Sequence, residues 1–405
     1  MNTYFETAIK KGGKGKMKRW WAALLALWMT MMLAACGQSP ASGGGEGELK
    51  IGAIFSASGG AAPLGKPEME TVKMLVKQWN EQGGIEGKTI KLIAYDDKSN
   101  QNEAVLSTKK LIEQDKVTAI IGGTISGNSL AMIPQIEKAG IPYISLAASK
   151  QIVNPDDGSS RPWTFKTAQG DDIVIQKLLS FLKEKGWTKV AWLNVANAYG
   201  TSGHDEFVRY APQYGVQAVA EEEFEATVDD AKAMLTRVKK ANPQAVIVWG
   251  TAQESAVVTK NIRQLGIEAP IVESHGIGTK GFIDLAGEAA NGVWFPAGRI
   301  LVADQLPDSD PQKETLLAYK RDFEKAYGYE PTTFGGHAWD AFHLLANAIK
   351  EGGTDKEKIR SALENTKKFI GISGVFHMST DDHTGLDADS LVMVQIQDGK
   401  FVLAE

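Results

Sequence analysis

At 405 residues the chain is too long for one ordinary domain and comfortable for two or three. Its 43% hydrophobic and 23% charged content suits a globular protein with a real core and excludes a disordered, collagen-like or polytopic membrane chain. Residues 1–35 hold six of the 44 basic residues and one of the 49 acidic ones, leaving 38 against 48, an acidic body unsuited to nucleic acid.

Residues 20–35 (WWAALLALWMTMMLAA) are an uncharged apolar run directly behind Lys18-Arg19. The run is shorter than the roughly 20 residues of a membrane span and ends on small residues, so residues 1–35 read as a secretory signal peptide. It closes on Leu33-Ala34-Ala35-Cys36-Gly37, which resembles a bacterial lipobox, whose cysteine is diacylated and becomes the first mature residue. Cys36 is the chain's single cysteine, which excludes an internal disulfide and a thiolate zinc site and leaves lipidation as its expected role. Met17 is a second candidate start, since residues 1–16 precede a complete signal. Residues 36–48, rich in Gly and Ser, are expected to be a lipidated flexible tether. The body is thus expected outside the cytoplasm, anchored to the cell membrane through Cys36.

From Leu49 onward short apolar runs alternate with amphipathic segments. Strands are predicted over 49–55, 89–95, 118–121 and 142–146, with helices over 68–81, 102–114 and 129–138 between them. A loop of Asn, Pro, Asp, Gly and Ser (154–161) breaks the rhythm. It restarts with helix 171–185, strand 189–193, helix 204–214, strand 216–221, helix 230–241, strand 245–249, helix 254–265 and strand 270–272. Helices 311–327, 336–351 and 356–365, followed by short strands, complete the chain. Such alternation is the pattern of an α/β fold, here two doubly wound parallel-sheet lobes joined by a hinge crossed more than once. Lobe 1 is expected to comprise 49–166 plus 297–385, and lobe 2 to comprise 167–296 plus 386–405. Ligands of open α/β sheets bind beyond the carboxyl ends of the strands, so facing lobes share a cleft that a hinge can close.

Several short motifs lie along the mature chain. They are Gly83-Gly84-Ile85-Glu86-Gly87-Lys88 with Tyr95-Asp96-Asp97, Ile121-Gly122-Gly123-Thr124-Ile125-Ser126, Ile144-Ser145-Leu146-Ala147-Ala148-Ser149, Ala198-Tyr199-Gly200, and the run from Leu285 to Val293. In this order, behind a lipobox, the chain resembles the bacterial ABC-transporter substrate-binding proteins of the leucine/isoleucine/valine class. That resemblance implies a type I periplasmic-binding-protein fold, no enzymatic activity, no cofactor and no metal. It also implies a small carboxylate ligand, a branched-chain or other hydrophobic amino acid or a relative, an ABC permease as partner, and action as a monomer. By the same resemblance Ser126 receives the ligand carboxylate, and the Ala147 carbonyl with the Ser149 hydroxyl and N–H face the ligand. Tyr199 closes over it from lobe 2, Phe334 forms an apolar wall, and Leu64 stands where the class often has an aromatic.

The residues themselves point the same way at Ser126. A Gly-rich segment joining a strand to a helix presents free N–H groups, which bind anions, although Ser126 or Ser129 can equally be the helix N-cap. One departure stands out. Amino-acid binders of the class meet the ligand ammonium with an acid from lobe 2, and His275 occupies that place. Histidine suits an oxygen better than an ammonium, which opens the alternatives of an aromatic carboxylate lacking an α-amino group, a Glu254 or Glu273 substitute, or a His275 that merely caps the next helix. A ligand sensor of the same fold is a further alternative.

Rival motifs are weaker. Gly276-Ile277-Gly278-Thr279-Lys280-Gly281 matches a dinucleotide fingerprint but lacks the acid about 20 residues on, and Thr124 stands where a nucleophile elbow needs Gly. The six histidines show no metal-ligand spacing. Among the tryptophans, Trp163 is the one expected near the cleft.

Overall fold

The computed structural model describes residues 47–404; the signal run, Cys36 and the tether up to residue 46 lie outside the described residues. Strands β1 (Glu48–Phe55), β2 (Thr89–Asp96), β3 (Ala119–Gly122), β4 (Tyr143–Ser145) and β5 (Thr164–Lys166) form one parallel sheet in the order β2-β1-β3-β4-β5. Helices α1 (Ala62–Glu81), α2 (Gln101–Lys110) and α3 (Ser126–Ala139) make its crossovers. β3 and β4 are buried along their whole length, as apolar strands covered on both faces must be.

The chain then enters a second unit of alternating elements. These are α4 (Asp171–Lys185), β6 (Lys189–Val195), α5 (Ala198–Tyr214), β7 (Gln217–Phe224), α6 (Lys232–Ala241), β8 (Ala245–Trp249), α7 (Ala252–Gln264), β9 (Ile271–Glu273), α8 (Lys280–Ala286) and β10 (Trp294–Gly298). Helices α9 (Lys313–Tyr327), α10 (Thr333–Gly352) and α11 (Lys356–Glu364) follow, then β11 (Phe369–Ile370), β12 (Val375–Phe376), β13 (Leu391–Gln397) and β14 (Lys400–Leu403). The second sheet has the order β14-β13-β10-β9-β8-β6-β7, with every pair parallel except those that β13 makes with β10 and β14.

The fold is therefore two α/β lobes with three crossings between them: after β5, after β10, and before β13. Between the last two crossings, α9 and α10 return to lobe 1 and pack on α1, where Tyr319 and Thr71 share a hydrogen bond of 2.8 Å. The return placed at residue 297 from the sequence falls inside β10, which continues to Gly298. Among the described residues no helix is long and apolar enough to cross a membrane.

Several helices begin earlier than their periodicity predicts: α1 at Ala62, α3 at Ser126, α5 at Ala198 and α10 at Thr333. Their first turns are built of Gly, Pro, Ser and Thr, weak helix formers that strand-end packing holds in place. Gly200 shows why. A Cβ there would lie 1.7 Å from the carbonyl oxygen of Val195, so the start of α5 rests directly on the end of β6. Gly200→Ala is expected to cost about 3 kcal/mol by forcing α5 off the sheet, read as a lowered urea midpoint with an unchanged slope.

Candidate functional site

A cavity of about 690 Å³ lies between the lobes, at the carboxyl ends of their strands. Lobe 1 contributes Leu64, Thr124, Ser126, Ala147, Phe334 and His337, and lobe 2 contributes Asn197, Tyr199, Glu254 and His275. Among its lining residues there is no lysine or arginine.

Helix starts make most of the wall. The first turns of α3, α5, α7 and α10 all reach it. Asn197 accepts hydrogen bonds from the N–H groups of Tyr199 and Gly200, which satisfies α5. A capping box of Thr251 and Glu254 satisfies α7, and Thr332 caps α10 through the Gly335 N–H. α3 has no side-chain cap, and the first N–H groups of a helix have no intrahelical acceptor. Neither Ser126 nor Ser129 is its N-cap.

The loop before α3 is set by glycine. Gly122 and Gly123 have φ of +134° and +70°, and a Cβ on Gly123 would fall 2.3 Å from both Ser129 Oγ and Tyr143 Oη. Ser129 Oγ donates to the Gly123 carbonyl at 2.7 Å and lies 2.9 Å from Tyr143 Oη, which locks the turn. Ser126 then sits at the cavity wall, where its Oγ accepts the Ser149 N–H at 3.2 Å. The Ser126 hydroxyl hydrogen remains available to a ligand.

Of the seven residues expected at the site, Leu64, Ser126, Ala147, Tyr199, His275 and Phe334 line this cavity and Ser149 does not. Ser149 is fully buried. Its N–H is given to Ser126 and its Oγ accepts the Gln151 N–H at 3.3 Å, capping the short turn Lys150–Ile152. It supports Ser126 from behind. Trp163 is also absent from the cavity: its ring packs against Gly140 and under the Arg360 guanidinium.

His275 caps nothing. Ser274 caps the turn it begins, and Thr279 caps α8. Its Nδ1 lies 3.2 Å from Tyr199 Oη, and burial, then His337 and Lys166, push its pKa down to about 3, leaving it neutral. His337, from the other lobe, is likewise pushed down to about 3 by burial and then by Lys166, with Nδ1 2.7 Å from Ser373 Oγ. Two neutral imidazoles thus face the cavity from opposite lobes, each with one nitrogen anchored. His337 was passed over in the sequence because it fits no metal spacing; its place one helical turn after Phe334 was the available signal.

The two candidate acids separate. Glu273 is fully buried away from the cavity, accepts the Thr259 hydroxyl at 2.6 Å, and is pushed up to about 8 by burial. Glu254 lines the cavity, accepts the Thr251 N–H at 2.7 Å, and is held above the usual carboxyl range by burial.

Comparison with known proteins gives a consistent pattern. The profile of the periplasmic binding protein family matches residues 48–400. The leucine-, isoleucine-, valine-, threonine- and alanine-binding protein of Pseudomonas aeruginosa is 24% identical over 320 residues, 78% of this chain and 82% of its own. An extracellular ligand-binding receptor from Rhodopseudomonas palustris HaA2 superposes with a TM-score of 0.83 and 28% identity, covering 89% of this chain and 100% of the receptor. The branched-chain amino acid transporter substrate binding protein LivJ of Streptococcus pneumoniae, in complex with isoleucine, gives a TM-score of 0.77 at 27% identity, covering 88% of this chain and 100% of that one.

Proposed function

The chain belongs to the periplasmic binding protein family, and from that membership we propose that it is the extracytoplasmic solute-binding component of an ABC importer. It captures a small carboxylate solute of the hydrophobic amino-acid class between its lobes and delivers it to a membrane permease. The lipid on Cys36 anchors it, and no bond in the solute is made or broken. The observation that carries this reading is the uncapped start of α3 beside the Ser126 hydroxyl, in a cavity lined by no cationic side chain. A carboxylate placed there meets oriented N–H groups and the positive end of a helix dipole, the arrangement by which helix starts hold anions. Leu64, Ala147 and Phe334 offer apolar surface for the rest of the solute. The relatives' branched-chain ligands favour an amino acid, with Glu254 at the cavity wall as the proposed partner of its ammonium.

A second reading rests on one feature. His275 is neutral where the class carries an acid, which favours a carboxylate with an oxygen in place of the ammonium. Paired thermal-shift titrations separate the two, each amino acid run beside its des-amino analogue and beside aromatic carboxylates. We expect a hydrophobic amino acid to raise Tm by several degrees at saturating concentration, with its amide or ester giving no shift. A shift from sugars or cations and none from any carboxylate would contradict both readings.

A further inference from the structure

The polar loop 154–161, which breaks the alternation in the sequence, is not accounted for by ligand capture. In the structure the segment from Lys150 to Arg161 leaves β4 in lobe 1 and reaches across to α5 in lobe 2. Four charges meet there. Lys150 Nζ lies 3.3 Å from Glu206 Oε1 and 3.5 Å from Asp156 Oδ1. Arg209 Nη2 lies 3.0 Å from Asp156 Oδ1, and its Nε lies 3.7 Å from Glu206 Oε2. The charges therefore alternate in sign around a closed ring, with one cation and one anion from each lobe. Glu206 is buried, its side chain 2% exposed, and Lys150 is nearly so at 15%. Gln151 braces the loop by hydrogen bonds between its side chain and Asp156, and Arg161 holds it from the far end through the Gln151 and Ile152 carbonyls.

We propose that Lys150, Asp156, Glu206 and Arg209 form an electrostatic clasp that holds the two lobes closed, and that they act as positioning residues for ligand capture through α5. Two features make the ring reversible. Each lobe keeps its own ion pair when the lobes part, Lys150 with Asp156 and Arg209 with Glu206, so opening strands no charge. Opening also returns Glu206 to water, which offsets much of the attraction lost. The clasp acts on the ligand through a shared face. Glu206 follows Tyr199 by seven residues, two helical turns, so α5 presents its ligand-facing tyrosine and its clasp carboxylate on one side. Half of the ring is exposed, with Asp156 47% and Arg209 42% accessible, so salt weakens it.

Single-molecule FRET on the full-length, ligand-free protein, with one dye on each lobe, reads the closed-to-open ratio without any assumption about the solute. We expect raising NaCl from about 0.02 M to about 1 M to lower that ratio in the wild type. Lys150→Met is expected to lower it about tenfold at low salt and to weaken the salt response, because it removes the buried cation that bridges Glu206 to the other lobe and leaves only the exposed Arg209–Asp156 pair between the lobes. Lys150→Arg, which keeps the positive charge and the alternation of the ring, is expected to retain most of the closed population and the salt response. Should Lys150→Met fail to fold, Arg209→Met, at a half-exposed position, carries the same test. A closed-to-open ratio indifferent to salt and to both methionine substitutions would overturn the clasp. A solute screen that finds no carboxylate would overturn the proposed function and leave this result standing.

Discussion

Solute affinity is expected to fall steeply once the pH drops below about 6.5, by up to about one decade per pH unit for each of two histidines. His275 and His337 line the cavity from opposite lobes, and burial there holds their pKa values at about 3. With the cleft open and wet they return toward the ordinary value near 6.5. A histidine whose pKa is depressed in one state opposes that state as protons become available. Closure is therefore unpenalised above pH 6.5 and weakens progressively down to about pH 3. Desolvation is the largest cause of both shifts, and Lys166, buried behind the cavity, adds to each by like-charge repulsion. Asp171, which burial pushes up to about 7, pulls the other way, because a raised carboxyl pKa favours the buried state as pH falls. The histidine share is isolated by calorimetric titration from pH 8 to pH 5 of wild type, His275→Asn and His337→Asn. Each substitution is expected to remove about half of the slope. A flat wild-type profile, or an unchanged slope in both variants, would contradict this picture.

Ser126→Ala is the second substitution of large expected effect. The Ser126 hydroxyl has two tasks: its oxygen accepts the Ser149 N–H at 3.2 Å, and its hydrogen is free for the solute. A hydrogen bond to a charged group contributes about 1.5–3 kcal/mol, so its loss is expected to raise Kd by about 10- to 100-fold. The Ser149 N–H, in a fully buried residue, would also lose its acceptor, an unmet polar group costing about 1–3 kcal/mol. The variant should therefore stay folded with Tm lowered by a few degrees, and its affinity loss should be specific to the carboxylate. Isothermal titration at pH 7.5 together with a thermal melt reads both. An unchanged Kd would remove Ser126 from the site.

Much of the architecture was legible from β1 to β9 because apolar runs of strand length and amphipathic runs of helix length alternate there. Helix α4 is found over Asp171–Lys185, where the sequence places it, since its acidic first turn, its apolar face and the left-handed Gly186 that ends it agree. The parts hardest to read were the first turns of α1, α3, α5 and α10. Ala62–Pro67, Ser126–Asn128, Ala198–Gly203 and Thr333–Gly335 look like loops by composition. They are helical because strand ends and neighbouring helices hold them, and glycines such as Gly65 and Gly200 let their backbone rest directly on those strand ends. The residues that serve the site are thus the ones that blur the helix boundaries in the sequence.

The site shows the same division. Ser126, Tyr199 and His275 could be placed at the cleft from short motifs because each sits at a strand end or helix start. Ser149 could not be separated from its neighbours Ala147 and Ala148. The difference is one turn of backbone that points its hydroxyl at Gln151 instead of the cavity. Glu254 and Glu273 were equally open in the sequence; Glu254 reaches the cavity wall, while Glu273 is buried beneath it on the Thr259 hydroxyl. The ring of Lys150, Asp156, Glu206 and Arg209 had no signal at all, because its partners come from segments 50 residues or more apart in the chain.

A crystal structure of the protein with the tightest-binding carboxylate from the solute screen is the most direct test. We expect both lobes to touch the solute, with its carboxylate oxygens within about 3 Å of the Ser126 hydroxyl and of N–H groups in the first turn of α3. A carboxylate turned instead toward Glu254, or a solute held on one lobe outside the cleft, would contradict the account.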